Sequence, residues 1–221
     1  MNELTLIIPA KNESESLPIV LQKLKEVKCD IIVSLHPDDV STISSIKDFN
    51  IEIIKQSKKG FGNALTDGIN NCKTKYFCIF NADGSFEQND LVKMYELNKN
   101  NDFVFASRYS KTGGSEDDTI ITFVGNWFFS KLGQILYSLK INDILYTFIM
   151  GKTESFKKLD INSNDFRFCV ELPIKMHKKK LSYASIPSYE KKRIAGKKNV
   201  NEIKDGFLIL LEMLRLFFFR N

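Results

Sequence analysis

The chain is poor in the residues that staple small folds or hold transition metals. Of its 221 residues only four are cysteine (Cys29, Cys72, Cys78, Cys169) and two are histidine (His36, His177). The cysteines have no paired spacing and three lie within apolar runs, so neither a disulfide framework nor a zinc site is supported, and a reducing compartment is expected. The opening residues MNELTLIIPA lack a basic leader and a cleavable apolar stretch, and read as a first strand rather than a signal peptide. A cytoplasmic protein is the resulting expectation. The basic runs KMHKKK and EKKRIAGKK have no aromatic residues woven between the charges, which argues against nucleic acid as a partner.

What is present points to a core of ordinary size and an uneven charge. With 43% hydrophobic residues the chain can bury the core of one domain of about 200 residues. The net charge is +5; residues 1–110 hold 13 Lys and Arg against 15 Asp and Glu, while residues 111–221 hold 19 against 12. Phosphate-bearing partners are therefore expected at the second half.

Periodicity along the first 80 residues alternates between strand and helix. Apolar runs at 4–10, 29–35, 51–56 and 75–80 read as strands. Between them, residues 14–27 place apolar side chains at 17, 20, 21, 24 and 27, and shorter helices are expected near 40–48 and 62–72. Strands of this kind separated by helices predict a mostly parallel sheet covered on both faces, which binds ligands at the carboxyl ends of its strands. Each loop after a strand is thus a site candidate: PAKNES, HPDD, SKKGFGNA and NADGSF.

Together these loops bring carboxylates, glycines and lysines to one edge, a combination suited to a nucleoside diphosphate with a divalent cation. Gly60 and Gly62 either let backbone N–H groups approach an anion, with Lys58 or Lys59 neutralising it, or mark an ordinary turn. Asp83 is either a metal ligand or half of an Asp-Gly turn.

The ordered segments LIIPAKNESESLP, KKGFGNALTDGI, FNADGSF, FASRY, INDILYTFIMGKTESFKKL, FRFCVELPIKM and RIAGKKNV resemble family-2 glycosyltransferases. The likeness is greatest to the branch of dolichol- and polyprenyl-phosphate mannosyl- and glucosyltransferases and runs from about residue 4 to 200. The resemblance implies a single GT-A-like, Rossmann-like α/β domain over residues 1–200, followed by an amphipathic helix over 201–221. It also implies an inverting, metal-assisted transfer of a sugar from a GDP- or UDP-linked donor to a polyprenyl phosphate. Transfer to a surface-polysaccharide intermediate, or donor binding without turnover, are the alternatives. A sugar nucleotidyltransferase would need glycine after the first strand, and PAKNES has none.

Carried over, the resemblance places Pro9, Ala10 and Glu13 at the base and ribose, and Lys59, Gly60 and Ala64 beside the nucleotide. Asp83 becomes the second acid of a D-x-D motif binding Mg²⁺ or Mn²⁺, with Asn81 in place of the first. Arg108 falls on the acceptor side, and Arg193 with Lys197 or Lys198 in a late loop that closes over the diphosphate. At the second strand the family has two acids where this chain has Leu35 and His36, so Asp38 and Asp39 are the nearest substitutes and Asp38 is taken as a nucleotide contact. Were the acceptor a hydroxyl, a base would be needed; Glu171 and Asp143 are the candidates, although Glu171 is equally suited to pairing with Lys175 one turn on. Residues 125–139 suit either core packing or an acceptor-facing helix. Residues 206–221 are apolar but shorter than the roughly 20 residues a span needs, and read as a helix on the cytoplasmic face of a membrane, or packed on the body or a second copy.

Overall fold

The computed structural model describes residues 1–196 and 200–219. The first apolar run forms β1 (Leu4–Ala10), and the amphipathic stretch after it forms α1 (Leu17–Leu24), which buries Leu17, Val20, Leu21 and Leu24. Pro18 lies in the first turn of α1, where its missing N–H has no intrahelical partner to lose. β2 (Asp30–Leu35), α2 (Val40–Ser45), β3 (Glu52–Lys55), α3 (Phe61–Asn71) and β4 (Tyr76–Ile79) follow in the predicted alternation. The rest of the chain adds α4 (Asp90–Asn98), β5 (Phe103–Ser107), β6 (Gly114–Ser115), α5 (Ile120–Tyr137) and β7 (Ile149–Lys152). It continues with α6 (Thr153–Lys157), α7 (Phe168–Lys178), β8 (Tyr183–Pro187), β9 (Tyr189–Glu190) and α8 (Glu202–Phe218).

Among the described residues the main sheet has seven strands in the order β3-β2-β1-β4-β7-β5-β8. All neighbours are parallel except β7, which runs antiparallel to both β4 and β5. The short β6 and β9 pair separately, Gly114 with Tyr189 and Ser115 with Glu190. Successive residues of β1 point to opposite faces: Ile7 joins one hydrophobic cluster with α3, α7 and α8, while Leu6 and Ile8 join another with α1 and α4. Burial on both faces explains why the strands read as continuous apolar runs rather than alternating ones.

α8 does not stand apart from this body. Its Ile209, Met213 and Leu216 enter the same cluster as Ile7 and Phe168, and the Tyr137 hydroxyl of α5 donates to the Met213 carbonyl. Among the described residues no helix is long and apolar enough to cross a membrane.

Candidate active site

The loop after β4 is a tight turn with a carboxylate at its apex. Asp83 Oδ1 accepts from the Ser85 amide at 3.0 Å, and Gly84 adopts φ +79°, so the Asp-Gly turn expected from the sequence is present. A side chain at Gly84 would meet Ile194 at 2.5 Å, so this turn also lies under the late loop. Below it, Phe86 stacks on Phe148 at 4.6 Å and meets Tyr146 edge-on, a rigid aromatic floor for the turn. Asn81 sits beside the turn, its amide donating to the Ser85 hydroxyl.

The loop after β1 is held from the second strand's loop. Asp39 Oδ2 accepts from the Asn12 amide at 2.7 Å, and its Oδ1 caps α2 through the Thr42 amide. Burial pushes the Asp39 carboxyl up, but the Asn12 and Thr42 hydrogen bonds outweigh it and its pKa lies below the ordinary range. Asn12 takes a left-handed φ of 59°, the Glu13 amide donates to the Thr42 hydroxyl, and the Glu13 carboxylate accepts from the Ser16 hydroxyl at 2.6 Å and lies under Gly196 of the late loop. Burial raises the pKa of Glu13. Pro9 and Ala10 end β1, Ala10 being buried. Asp38, expected as a nucleotide contact, has an exposed side chain that pairs with His36, whereas its neighbour Asp39 turns inward and caps α2.

The glycine loop packs closely against a distant part of the chain. A side chain at Gly60 would meet the Asn164 carbonyl oxygen at 2.1 Å, and one at Gly62 the Ser163 oxygen at 2.4 Å. These glycines exist because the loop at 163–165 packs against the start of α3, and the Asn63 amide already donates to Asn164. Ala64 is buried in the core and Lys59 is exposed.

The late loop lies over the β4 turn. The Lys191 amide donates to the Ser85 carbonyl and the Ile194 amide to the Asp83 carbonyl, both at 2.8 Å. Arg193 thereby reaches Asp83, 3.6 Å away, and Asp117, 2.9 Å away in the loop before α5. Burial pulls its pKa down, but the Asp117 hydrogen bond and the charge of Asp83 more than reverse this. Asp117 is a site residue that sequence reasoning missed; EDD at 116–118 gave no sign that it would meet a residue 76 positions on. Lys197 and Lys198 lie outside the described residues.

Arg108, expected on the acceptor side, lies in a cluster of charges. Its Nε and Nη2 donate to Asp143 at 2.9 Å and its Nη1 to Glu190 at 3.0 Å, with the guanidinium 4.5 Å over the Tyr146 ring. Burial lowers its pKa, but Asp143 and Glu190 outweigh that and hold it firmly charged. The fully buried Asp143 also accepts from the Arg108 amide and from Asn126, so the two residues are tied to each other and to the fold.

Glu171 is likewise committed. It is fully buried, pairs with Lys175 at 2.7 Å, and accepts from the amides of Asn162 and Ser163, so the one-turn pairing is realised and the role of base is not. Burial raises its pKa, but Lys175 and the Ser163 bonds outweigh it, leaving the pKa below the ordinary value. A lowered folded pKa means stability that is full above the ordinary glutamate value of about 4.3 and lost as pH falls through the folded one. Glu171→Gln is thus expected to leave turnover intact, lower the melting temperature at neutral pH, and flatten its fall on acidification; a tenfold or greater loss of turnover would reinstate Glu171 as a base.

Among the described residues no three Asp, Glu, His or Cys side chains converge as a preformed metal centre. Asp83 and Asn81 offer a carboxylate and an amide oxygen, a donor set for a hard cation that takes its remaining ligands from phosphate and water. A cavity of about 520 Å³ lies elsewhere, among Leu24, Cys29 and Asn50 near the amino end of β2, the wrong edge for ligand binding in such a sheet.

Carboxylates and a guanidinium gather at the carboxyl ends of a mostly parallel α/β sheet, the edge at which such sheets bind ligands. Residues 5–160 match glycosyl transferase family 2, and the chain belongs to that family. An uncharacterized glycosyltransferase of Mycobacterium tuberculosis is 30% identical over 111 residues, 49% of this chain and 50% of that protein. The chain thus aligns with about half the length of that relative. An undecaprenyl-phosphate mannosyltransferase of Micrococcus luteus is 24% identical over 180 residues, 75% of this chain and 74% of that protein. In fold, glucosyl-3-phosphoglycerate synthase of M. tuberculosis, crystallised with Mn²⁺, UDP and glucosyl-3-phosphoglycerate, has a TM-score of 0.76 at 11% identity, covering 100% of this chain and 81% of the other. Mannosyl-3-phosphoglycerate synthase of Rubrobacter xylanophilus has a TM-score of 0.74 at 12% identity, covering 97% and 74%.

Proposed function

We propose that the protein transfers a sugar, with inversion, from a GDP- or UDP-linked donor to a polyprenyl phosphate at the cytoplasmic face of a membrane. The observation that carries this is the placement of Asp83 at the apex of the β4 turn with Arg193 above it and Glu13 under Gly196 of the same late loop. Asp83, with the Asn81 amide oxygen, would hold Mg²⁺ or Mn²⁺ against the donor diphosphate, and the metal would neutralise charge on the leaving group. Glu13 is suited to accept from ribose hydroxyls, and Arg193 to stabilise the departing diphosphate.

The acceptor reading follows from what the carboxylates are doing. An acceptor hydroxyl needs a base to take its proton, whereas an acceptor phosphate is already anionic. Glu171 and Asp143 are both spent on structural partners, which favours the phosphate over a phosphoglycerate or polysaccharide hydroxyl. The M. luteus relative, named for a polyprenyl-phosphate acceptor, supports the same choice.

A lipid acceptor calls for contact with a membrane, and two adjacent helices offer apolar surface. α5 has one charged residue, Lys131, and exposes Ile120, Ile121, Val124, Trp127 and Ile135. α8 exposes Ile203, Phe207, Leu211 and Phe218, while its Glu212 is buried against Arg215. An exposed apolar area of this extent suits an interfacial helix pair. Flotation with vesicles of equimolar phosphatidylcholine and phosphatidylglycerol should carry the wild type and leave Ile121→Glu/Trp127→Glu behind, with nucleotide binding unchanged. Equal flotation of both, or of neither, removes the membrane contact from the proposal.

The deciding assay incubates the protein with Mn²⁺ and a panel of GDP- and UDP-sugars, with and without polyprenyl phosphate. Radiolabelled sugar should enter the organic phase only when polyprenyl phosphate is present. Turnover of no donor, together with unchanged nucleotide binding by Asp83→Ala, would reduce the chain to a binding relative or to none.

A further inference from the structure

Arg193 stands where a cation would stand. Its guanidinium lies 3.6 Å from Asp83, close enough to balance that carboxylate but beyond a direct hydrogen bond. The tighter partner is Asp117, at 2.9 Å. Two backbone hydrogen bonds, from Lys191 to Ser85 and from Ile194 to Asp83, fix the loop that carries it, and Lys192 is tied at its amide to Glu116. The guanidinium is thus positioned from both sides, by the β4 turn below and by the 116–117 loop beside it.

We propose that Asp117 is a positioning residue that parks Arg193 beside Asp83, so that the guanidinium fills the cation seat until metal and nucleoside diphosphate arrive together. This rests on the transferase reading above. A divalent ion binding Asp83 alone would set two further positive charges beside a half-buried guanidinium and strip Asp83 from it. When the ion comes with a diphosphate, the phosphates supply the negative charge that both cations need. Arg193 then turns from Asp83 to the phosphates while Asp117 keeps its hold, which makes Asp117 the pivot of the exchange. Binding order follows: metal is excluded from the donor-free protein, and a loose metal ion does not compete for Asp83.

Mn²⁺ binding to the full chain, followed by electron paramagnetic resonance without nucleotide and then with GDP or UDP, tests this. Wild type should bind Mn²⁺ only when a nucleoside diphosphate is present. Arg193→Ala, and Arg193→Gln as a second variant, should bind Mn²⁺ without nucleotide at least about tenfold more tightly than wild type, since the competing charge is gone. Asp117→Asn should raise the Mn²⁺ concentration needed for nucleotide binding several-fold, and Asp117→Glu should restore most of it. A merely structural Asp117 would lower the melting temperature without moving that requirement. Wild type that binds Mn²⁺ alone as tightly as the Arg193 variants overturns the parking of Arg193 while leaving the transferase reading in place. Wild type that binds no Mn²⁺ with either nucleotide overturns both.

Discussion

Asp83→Asn lowers the rate of sugar transfer by about a hundred- to a thousandfold, the scale on which one preorganised electrostatic contact to a leaving group acts. The expectation rests on what the substitution keeps. An asparagine oxygen still accepts from the Ser85 amide, Gly84 keeps its φ of +79°, and the Ile194 amide still bonds to the carbonyl of residue 83. Only the charge leaves, and with Asn81 beside it the turn would offer two neutral amide oxygens to a cation that prefers carboxylate. The melting temperature should therefore change little while turnover collapses, and Mn²⁺ beyond the wild-type requirement should recover part of the loss. Steady-state transfer and thermal melts on the same preparation check both halves. A fall in rate of less than about tenfold would move the metal away from this turn.

Asp143→Ala carries the largest expected cost in stability. It removes the partner of Nε, Nη2 and the backbone amide of Arg108, and the acceptor of Asn126, at a position with no solvent to replace them. Leaving a buried charge unpaired costs about 3–5 kcal/mol, and Glu190 keeps part of Arg108 satisfied, which favours the lower end. For a domain of this size that is a drop of roughly 6–20 °C in melting temperature. The double variant Arg108→Met/Asp143→Leu should recover only part of this, because no cation is left unpaired but the buried Glu190 loses its guanidinium and keeps the Ser115 hydroxyl. A single variant that melts within about 2 °C of wild type would return Arg108 to the pool of groups free to bind an acceptor phosphate.

The two residues teach different things about reading this chain. Asp83 was legible because its meaning is local: a polar residue at the end of an apolar run, followed by glycine, defines a turn at the carboxyl edge of a strand. Arg108 and Glu171 are less legible, Glu171 staying open between a base and a partner of Lys175, because a buried charge takes its meaning from its partners. Arg108 meets Asp143 35 residues on and Glu190 82 residues on, and Glu171 closes over the amides of Asn162 and Ser163. At Asp38 and Asp39 the choice came down to one residue, decided by which of the two could cap α2. The sequence leaves the glycine loop open between an anion cradle and an ordinary turn, because the 163–165 loop that packs against it is about 100 residues away in the chain.

Apolar periodicity by itself determined the strands and helices of the first half, the order of the loops, and hence the edge of the sheet at which a site forms. It did so because burial on two faces and helical spacing are properties of neighbouring residues. Only the tertiary structure decided which carboxylates remain for chemistry. It ties Asp143 and Glu171 into the fold, draws Asp117 in to hold Arg193, and leaves one oxygen of Asp83 on the Ser85 amide and the other facing a guanidinium. Charges separated by long stretches of chain meet only when the sheet brings their loops together, and the strength of each pairing depends on that distance and on the water excluded around it.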